Sequence, residues 1–359
     1  MPPGSQTPRR HVYGVPSAGV RLLFCNEAPP VWPPVRVHLR RELREASHLA
    51  VERRLPEWFK VPAPGSENYL DLRRRFRDAK LHTVCEEAAC PNIGDCWGRR
   101  TATFMILGDT CTRACSYCYV KTGWPGTLDV GEPLRLAQTV QQMGLRYTVI
   151  TAVDRDDLPD GGAGIFAQSI RLIHRLVPGC RVEVLIGDFA GNWDALKLVM
   201  DARPEVLNHN IETVRRVFAK VRAKGDYDLS LELLRRALEM RPDIPAKSGM
   251  MVGLGETTDE VLETMRDLRG VGVRLLTVGQ YLRPSANHHP LVRVYHPREF
   301  DWLRDEGLKM GFRHVASGPL VRSSYHADEQ HDAASGLTAP ASVTRSDAAV
   351  AGLAGSAAR

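Results

Sequence analysis

The feature that most restricts what this chain can become is the crowding of its cysteines. Six of the eight lie between Cys85 and Cys118, in two triplets, Cys85/Cys90/Cys96 and Cys111/Cys115/Cys118. A chain of 359 residues with so few cysteines is no disulfide scaffold. Clustering at metal-ligand spacing points instead to thiolates kept reduced in a cytosol-like compartment. Cys25 and Cys180 have no Cys or His at ligand spacing and read as inert.

The two triplets differ in what they can hold. Cys111-Thr-Arg-Ala-Cys115-Ser-Tyr-Cys118 follows the turn Gly108-Asp109 directly after a β-branched run. Three thiolates can hold three irons of a cubane and leave the fourth open to a small molecule. Structural zinc wants four protein ligands, and no fourth Cys or His follows within a few residues. The earlier triplet, Cys85-Glu-Glu-Ala-Ala-Cys90-Pro-Asn-Ile-Gly-Asp-Cys96, is ambiguous by itself, because His82 could complete a zinc site with its three thiolates.

Around the cysteines the chain alternates strand and helix patterns. Strands are expected at Ala102–Leu107, Tyr147–Thr151, Arg181–Ile186, Glu205–Asn208, Lys247–Val252 and Leu275–Gly279, with Phe312–Ala316 after them. Helices are expected at Pro133–Met143, Phe166–Leu176, Trp193–Met200, Leu229–Met240 and Thr258–Arg269. The last carries a capping box, Thr257 with Glu260, and a stop at Gly270. Six βα units imply an α/β protein with a parallel sheet, closer to a partial (β/α)6 TIM-type barrel than to a closed one of eight. Ligands in such folds bind at the carboxyl ends of the strands. Residues 1–45 are dense in proline and lack acidic residues before Glu27. They read as a disordered or mis-assigned extension, and 333–359 as a disordered tail. The net charge of +6 permits an acidic partner but is too weak to argue for nucleic acid. No apolar run approaches the ~18 residues of a membrane helix.

The spacing of Cys111, Cys115 and Cys118 after the first barrel strand resembles that of the radical S-adenosylmethionine enzymes. Three runs narrow the resemblance: Leu81 to Trp97, Thr103 to Cys115, and Arg322-Ser-Ser-Tyr-His-Ala327. They look like those of the lipoyl synthases, and the resemblance covers about Arg54 to Asp328. It implies a radical SAM barrel at 101–320. Extensions at 46–100 and 321–332 would carry an auxiliary iron–sulfur cluster. Two 4Fe–4S clusters are implied. The one on Cys111, Cys115 and Cys118 binds S-adenosylmethionine and cleaves it reductively to a 5′-deoxyadenosyl radical. That radical abstracts hydrogen at carbons 6 and 8 of an octanoyl chain on a carrier-domain lysine. The cluster on Cys85, Cys90 and Cys96 gives up its sulfur. An alkyl C–H has no acidic proton, so cofactor radicals replace acid–base catalysis. The family's serine ligand to the sacrificed cluster maps onto Ser324, with Ser323 the other choice, and a hydroxyl is easier to displace than a thiolate. Implied partners are octanoylated carriers (2-oxoacid dehydrogenase E2 subunits, glycine cleavage H protein) and an electron donor such as ferredoxin or flavodoxin, in the cytoplasm.

The strand ends supply further candidates. Gly161 and Gly162 would let the backbone approach a ligand, and Asp154, Asp156 and Asp157 offer acceptors; composition alone reads this run as a solvated turn. The resemblance favours Asp160, Gly161 and Gly162 as S-adenosylmethionine contacts. It places Asn208, Asn210 and Glu212 near adenosine and substrate, with His209 a core residue. Gly253 and Gly255 precede a helix N-terminus, a natural place for a carboxylate. Gln280 and Arg283 match the family after the sixth strand. Arg73-Arg74-Arg75 reads as a solvated helix face or a dock for an acidic carrier. Gly187 and Arg215 stand where the family commonly has proline.

Two rivals stand beside this reading: a two-cluster enzyme that puts sulfur on another substrate, as methylthiotransferases do, and a zinc-stabilised module without catalysis. Metal analysis of anaerobically purified protein should find iron and sulfide; zinc alone would exclude both enzyme readings.

Overall fold

The computed structural model describes residues 55–61, 63–99 and 101–334. The expected extension 1–45, Cys25 and all but the first residues of the expected tail lie outside them.

A parallel sheet arises where the β-branched runs pair side by side and helices return the chain between them. The main strands are β2 (Thr103–Ile106), β5 (Tyr147–Ala152), β6 (Arg181–Leu185), β7 (Val206–Asn208), β8 (Ala246–Val252), β9 (Leu275–Gln280) and β10 (His314–Gly318). They pair in that order, all parallel. A two-residue strand, β1 (His82–Thr83), adds antiparallel to β2 at one edge. Thr110–Cys111 and Lys121–Thr122, β3 and β4, form a separate small ladder. Each expected strand is present to within two residues at either end.

The helices coat the outer face. From α4 (Glu132–Met143), Leu136, Ala137, Val140 and Met143 are buried; from α5 (Ala163–Leu176), Ile165, Phe166, Ile170 and Ile173. α6 (Trp193–Asp201), α7 (Arg215–Val221) and α8 (Tyr227–Met240) continue round. In α9 (Thr258–Gly270) the capping box forms: Thr257 Oγ1 accepts from Glu260 N at 3.3 Å and Glu260 accepts from Thr257 N at 2.8 Å. A helix not expected, α10 (Pro297–Lys309), starts with proline in its first turn and a His296–Glu299 capping box, and buries Phe300 and Leu303. Arg215, the first residue of α7, pairs with Asp228 at 2.6 Å; a proline would also suit that position, where the N–H has no helical partner.

The concave face has its own layer of charge. Register places Tyr147, Glu183 and Lys247 on one side of the sheet with Val149, Leu185, Gly249 and Thr277. Lys247 Nζ meets Glu183 Oε1 at 2.9 Å, with side chains 0% and 1% exposed. Asn208 Nδ2 donates to Glu183 Oε1 and Tyr147 OH to Glu183 Oε2. Beneath, the terminal helix α11 (Ala327–Ala334) ties to the first residue of β6 through Arg181, which pairs with Asp332.

Among the described residues the sheet is open, because β1 and β10 have no further strand at their outer edges. What crosses from one edge to the other is polar contact between distant segments. Asn92 Nδ2 donates to Leu320 O at 2.7 Å, Tyr325 OH to Asp95 at 3.1 Å, and Arg99 to Glu329 at 2.9 Å.

Removing one partner of a buried ion pair leaves an uncompensated charge, at about 3–5 kcal/mol. Urea unfolding should show Lys247→Met destabilised by that order, and Lys247→Met with Glu183→Leu recovering much of the loss.

Candidate active site

The first cysteine triplet is wound on two short helices beside the sheet edge. Thr83 caps α2 (Val84–Glu87), which carries Cys85, and α3 (Ile93–Gly98) carries Cys96. Cys90 N donates to Cys85 O at 3.0 Å and Thr101 N to Cys96 O at 2.8 Å, which tie both turns to the start of β2. α1 (Glu67–Asp78) packs Phe76 against Trp97, and its three successive arginines do not share a face: Arg74 is exposed, while Arg73 and Arg75 are half-buried. His82 binds Glu87 at 3.2 Å. Burial first, and then the neighbouring sulfurs, push the Cys85 and Cys96 thiols up to about 12.

The second triplet sits on the loop after β2. Thr112 N and Oγ1 both bind Asp154 O, at 3.0 and 2.9 Å, and Ser116 N binds Val221 O at 2.8 Å. Arg113 is the clamp. Its side chain is 2% exposed, and its fork reaches Asp188 at 2.6 and 2.7 Å and Asp156 at 2.8 Å. Burial alone would raise the Asp188 carboxyl, but the Arg113 contacts outweigh it and hold it near 2. Arg113 N also donates to Cys111 Sγ at 3.4 Å. Burial, then sulfur neighbours, push Cys118 up to about 12. Neither Arg113 nor Asp188 stands out in the sequence; only their distant pairing identifies them.

The first triplet and Cys118 of the second border one cavity of about 560 Å³ inside the curved sheet, while Cys111 and Cys115 lie outside its lining. Of the expected residues it is lined by Cys85, Cys90, Cys96, Cys118, Asn210, Glu212, Gln280, Arg283, Ser323 and Ser324. Asn210 Oδ1 is buried without a partner. Glu212 lies beside it in the left-handed region, φ +65°, a strained conformation typical of functional sites. Burial raises its carboxyl, and Arg222 pulls the other way.

Other expected residues hold partners within the protein itself. Asp160 accepts from Gly162 N and Gly164 N and so holds the start of α5. A Cβ on Gly161 would fall 2.9 Å from Phe189, and one on Gly162 2.2 Å from Leu107, so both positions require glycine beside these side chains. Asp156 and Asp157 are not open acceptors; Arg113 and Arg155 take them. Asn208 is bound to Glu183 and does not line the cavity. The amides of Gly253 and Leu254 bind the Glu256 carboxylate at 2.6 and 2.9 Å, which fills the expected carboxylate place. Gly255 only faces Val292. The Gln280 amide is spent on four backbone groups. Exposed Arg283 binds the carbonyls of Ala286 and His288. At Gly187 a Cβ would meet Asp154 Oδ1 at 2.2 Å, so the missing proline leaves room for that carboxylate. Cys180 is buried, as an inert cysteine should be.

The relatives decide what the cavity belongs to. Lipoyl synthase of Symbiobacterium thermophilum is 60% identical over 77% of this chain and 87% of its own length. Those of Halalkalibacterium halodurans and Rubrobacter xylanophilus are each 58% identical over 77% of this chain, covering 92% and 86% of theirs. The chain belongs to the lipoyl synthase family. The model of the N-terminal domain of lipoyl synthase matches residues 37–90 and that of the radical SAM superfamily residues 105–268. Residues 91–104, with Cys96 of the first triplet, lie between the two matches. Among solved structures, the FeFe-hydrogenase maturase HydG from Carboxydothermus hydrogenoformans is 17% identical, with a TM-score of 0.46 over 74% of this chain and 71% of that one.

Burial, then the charge of Arg222, push the His209 imidazole down to about 3, well below the ordinary value near ~6.5. The unfolded chain therefore binds this proton first. The stability owed to neutral His209 is complete above pH ~6.5 and is lost as pH falls from there toward 3. Urea midpoints of His209→Gln should fall less steeply than those of the parent between pH 7 and 4.

Proposed function

We infer that the chain carries out the reaction of its family, the insertion of two sulfur atoms into a protein-bound octanoyl-lysine to form the lipoyl group. The observation that carries this reading is the single cavity: it joins Cys85, Cys90, Cys96 and the serines of the Arg322–Tyr325 run to Cys118, Asn210 and Glu212.

The residues fit two iron–sulfur groups by their chemistry. Among the described residues no three His, Cys, Asp or Glu are arranged to hold a single metal ion. A cubane does not require that, since each thiolate holds a different iron. The raised thiols are protonated until metal displaces the protons, so loading is favoured as pH rises. When bound, the clusters and S-adenosylmethionine supply the radical and the sulfur that side chains cannot.

In this reading Cys111, Cys115 and Cys118 hold the group that meets S-adenosylmethionine, and Cys85, Cys90 and Cys96 hold the sulfur donor with Ser324. Asn210 Oδ1 offers an unpaired acceptor and Glu212 a carboxylate to the ammonium or hydroxyls of that cosubstrate. Asp160, Gly161 and Gly162 shape the rim by fixing the loop after β5. Arg113 holds its loop so that the cysteines cannot drift. The octanoylated carrier domains and a low-potential electron carrier, such as ferredoxin or flavodoxin, complete the system. Reduced thiols of this kind suit the cytoplasm, and no helix among the described residues is long and apolar enough to cross a membrane.

Anaerobic turnover with an octanoyl-lysine peptide, dithionite and S-adenosylmethionine should give lipoyl product by mass; its absence from iron-replete protein would refute the reading. Replacing Cys111, Cys115 and Cys118 should abolish S-adenosylmethionine cleavage. Ser324→Ala should retain most cleavage and lose lipoyl formation by tenfold or more; normal product would move the ligand role to Ser323 or elsewhere.

A further inference from the structure

Two guanidiniums that line the cavity, Arg283 and Arg322, pair with no carboxylate among the described residues; Arg283 is exposed and bound to backbone carbonyls, and Arg322 is the less exposed of the two. Arg322 is half-buried on the cavity wall that Cys90 also lines, and its guanidinium donates to its own neighbour, Nη1 to Val321 O at 2.7 Å. It forms no ion pair with any carboxylate among the described residues. Its position is built for: a Cβ on Gly279 of β9 would fall 2.1 Å from Val321 O and 3.3 Å from Arg322 Nη1. The bare glycine is what lets the Val321–Arg322 stretch lie against the sheet. Cys90 and Arg322 line the same cavity.

The contrast with the other triplet is sharp. There Arg113 is neutralised by Asp156 and Asp188, and Arg222 faces Glu212. Removing a cation from water without a counter-ion is unfavourable. The first triplet therefore keeps a positive charge in reserve, and the second does not.

We propose that Arg322 is a positioning residue that supplies the fixed counter-charge for the iron–sulfur group held by Cys85, Cys90 and Cys96. This rests on the two-cluster reading above. The three thiolates and bridging sulfides are net negative, and added electrons make them more so. A fixed cation close by stabilises the reduced form more than the oxidised one and raises the midpoint potential. The same attraction holds the anionic group in place and so slows the loss of iron.

The test uses the full chain with Cys111, Cys115 and Cys118 replaced by alanine, which leaves the first site alone. Anaerobic reconstitution is followed by iron analysis, a redox titration read by electron paramagnetic resonance, and iron release to a chelator. Arg322→Gln should shift the potential to more negative values and speed iron release several-fold, and Arg322→Lys should retain most of the parent potential. An unchanged potential in Arg322→Gln overturns the counter-charge while leaving the two-cluster reading intact. Failure of the parent background to hold any cluster overturns that reading, and the proposal with it. If Arg322→Gln holds no cluster and Arg322→Lys does, the charge requirement stands; if neither does, the role is structural and the proposal falls.

Discussion

A parallel sheet that stops short of closing leaves two bare edges and a hollow that something else must cover. In this protein that constraint organises the rest. The edges at β1 and β10 do not meet. The segment bearing Cys85, Cys90 and Cys96 comes in from one side and the Arg322–Tyr325 run from the other. Asn92–Leu320, Tyr325–Asp95 and Arg99–Glu329 link them. Closing the hollow and building the first cysteine site are therefore one structural event. Exposed ion pairs add little stability each, so this junction depends on shape and on the neutral hydrogen bonds more than on Arg99–Glu329.

The hollow is graded in polarity. Its lower layer is closed by Lys247, Tyr147 and Asn208, each bonded to Glu183. Above them Val149, Leu185 and Met251 present apolar surface suited to an alkyl chain. The rim carries thiols, an unpaired carboxamide oxygen and the two opposed charge environments set by Arg322 and by Arg113 with its aspartates. An apolar floor below a polar rim is the arrangement a radical attack on an unactivated chain requires: the chain is buried and the reagents stay ordered.

Much of this was legible in the sequence, for stated physical reasons. β-Branched runs and helical spacing located the strands, because burial on one face imposes a period. Thr257 and Glu260 announced α9 because a capping box is a local hydrogen-bond device. α10 was missed although Pro297 and Glu299 carry the same kind of signal, since no strong apolar period accompanies them. The cysteine spacings identified the site because iron geometry limits how ligands are strung along a chain. The rim was less legible. Asp156, Asp157, Asp160 and the Gly253 amides have the right chemistry to meet a ligand, but Arg113, Arg155, Gly164 and Glu256 reach them first.

The sequence by itself determined the two thiolate triplets, the order of βα units and the family, because each is written in short-range spacing. Only the tertiary structure decided that Arg322 would line one cavity with Cys90 across more than 200 residues of chain. It also decided that Arg113 would spend its charge on Asp188 while Arg322 kept its own. The reason is that charge pairing depends on distances through space, and these exist only once the open sheet has curved and its two edges have been bridged.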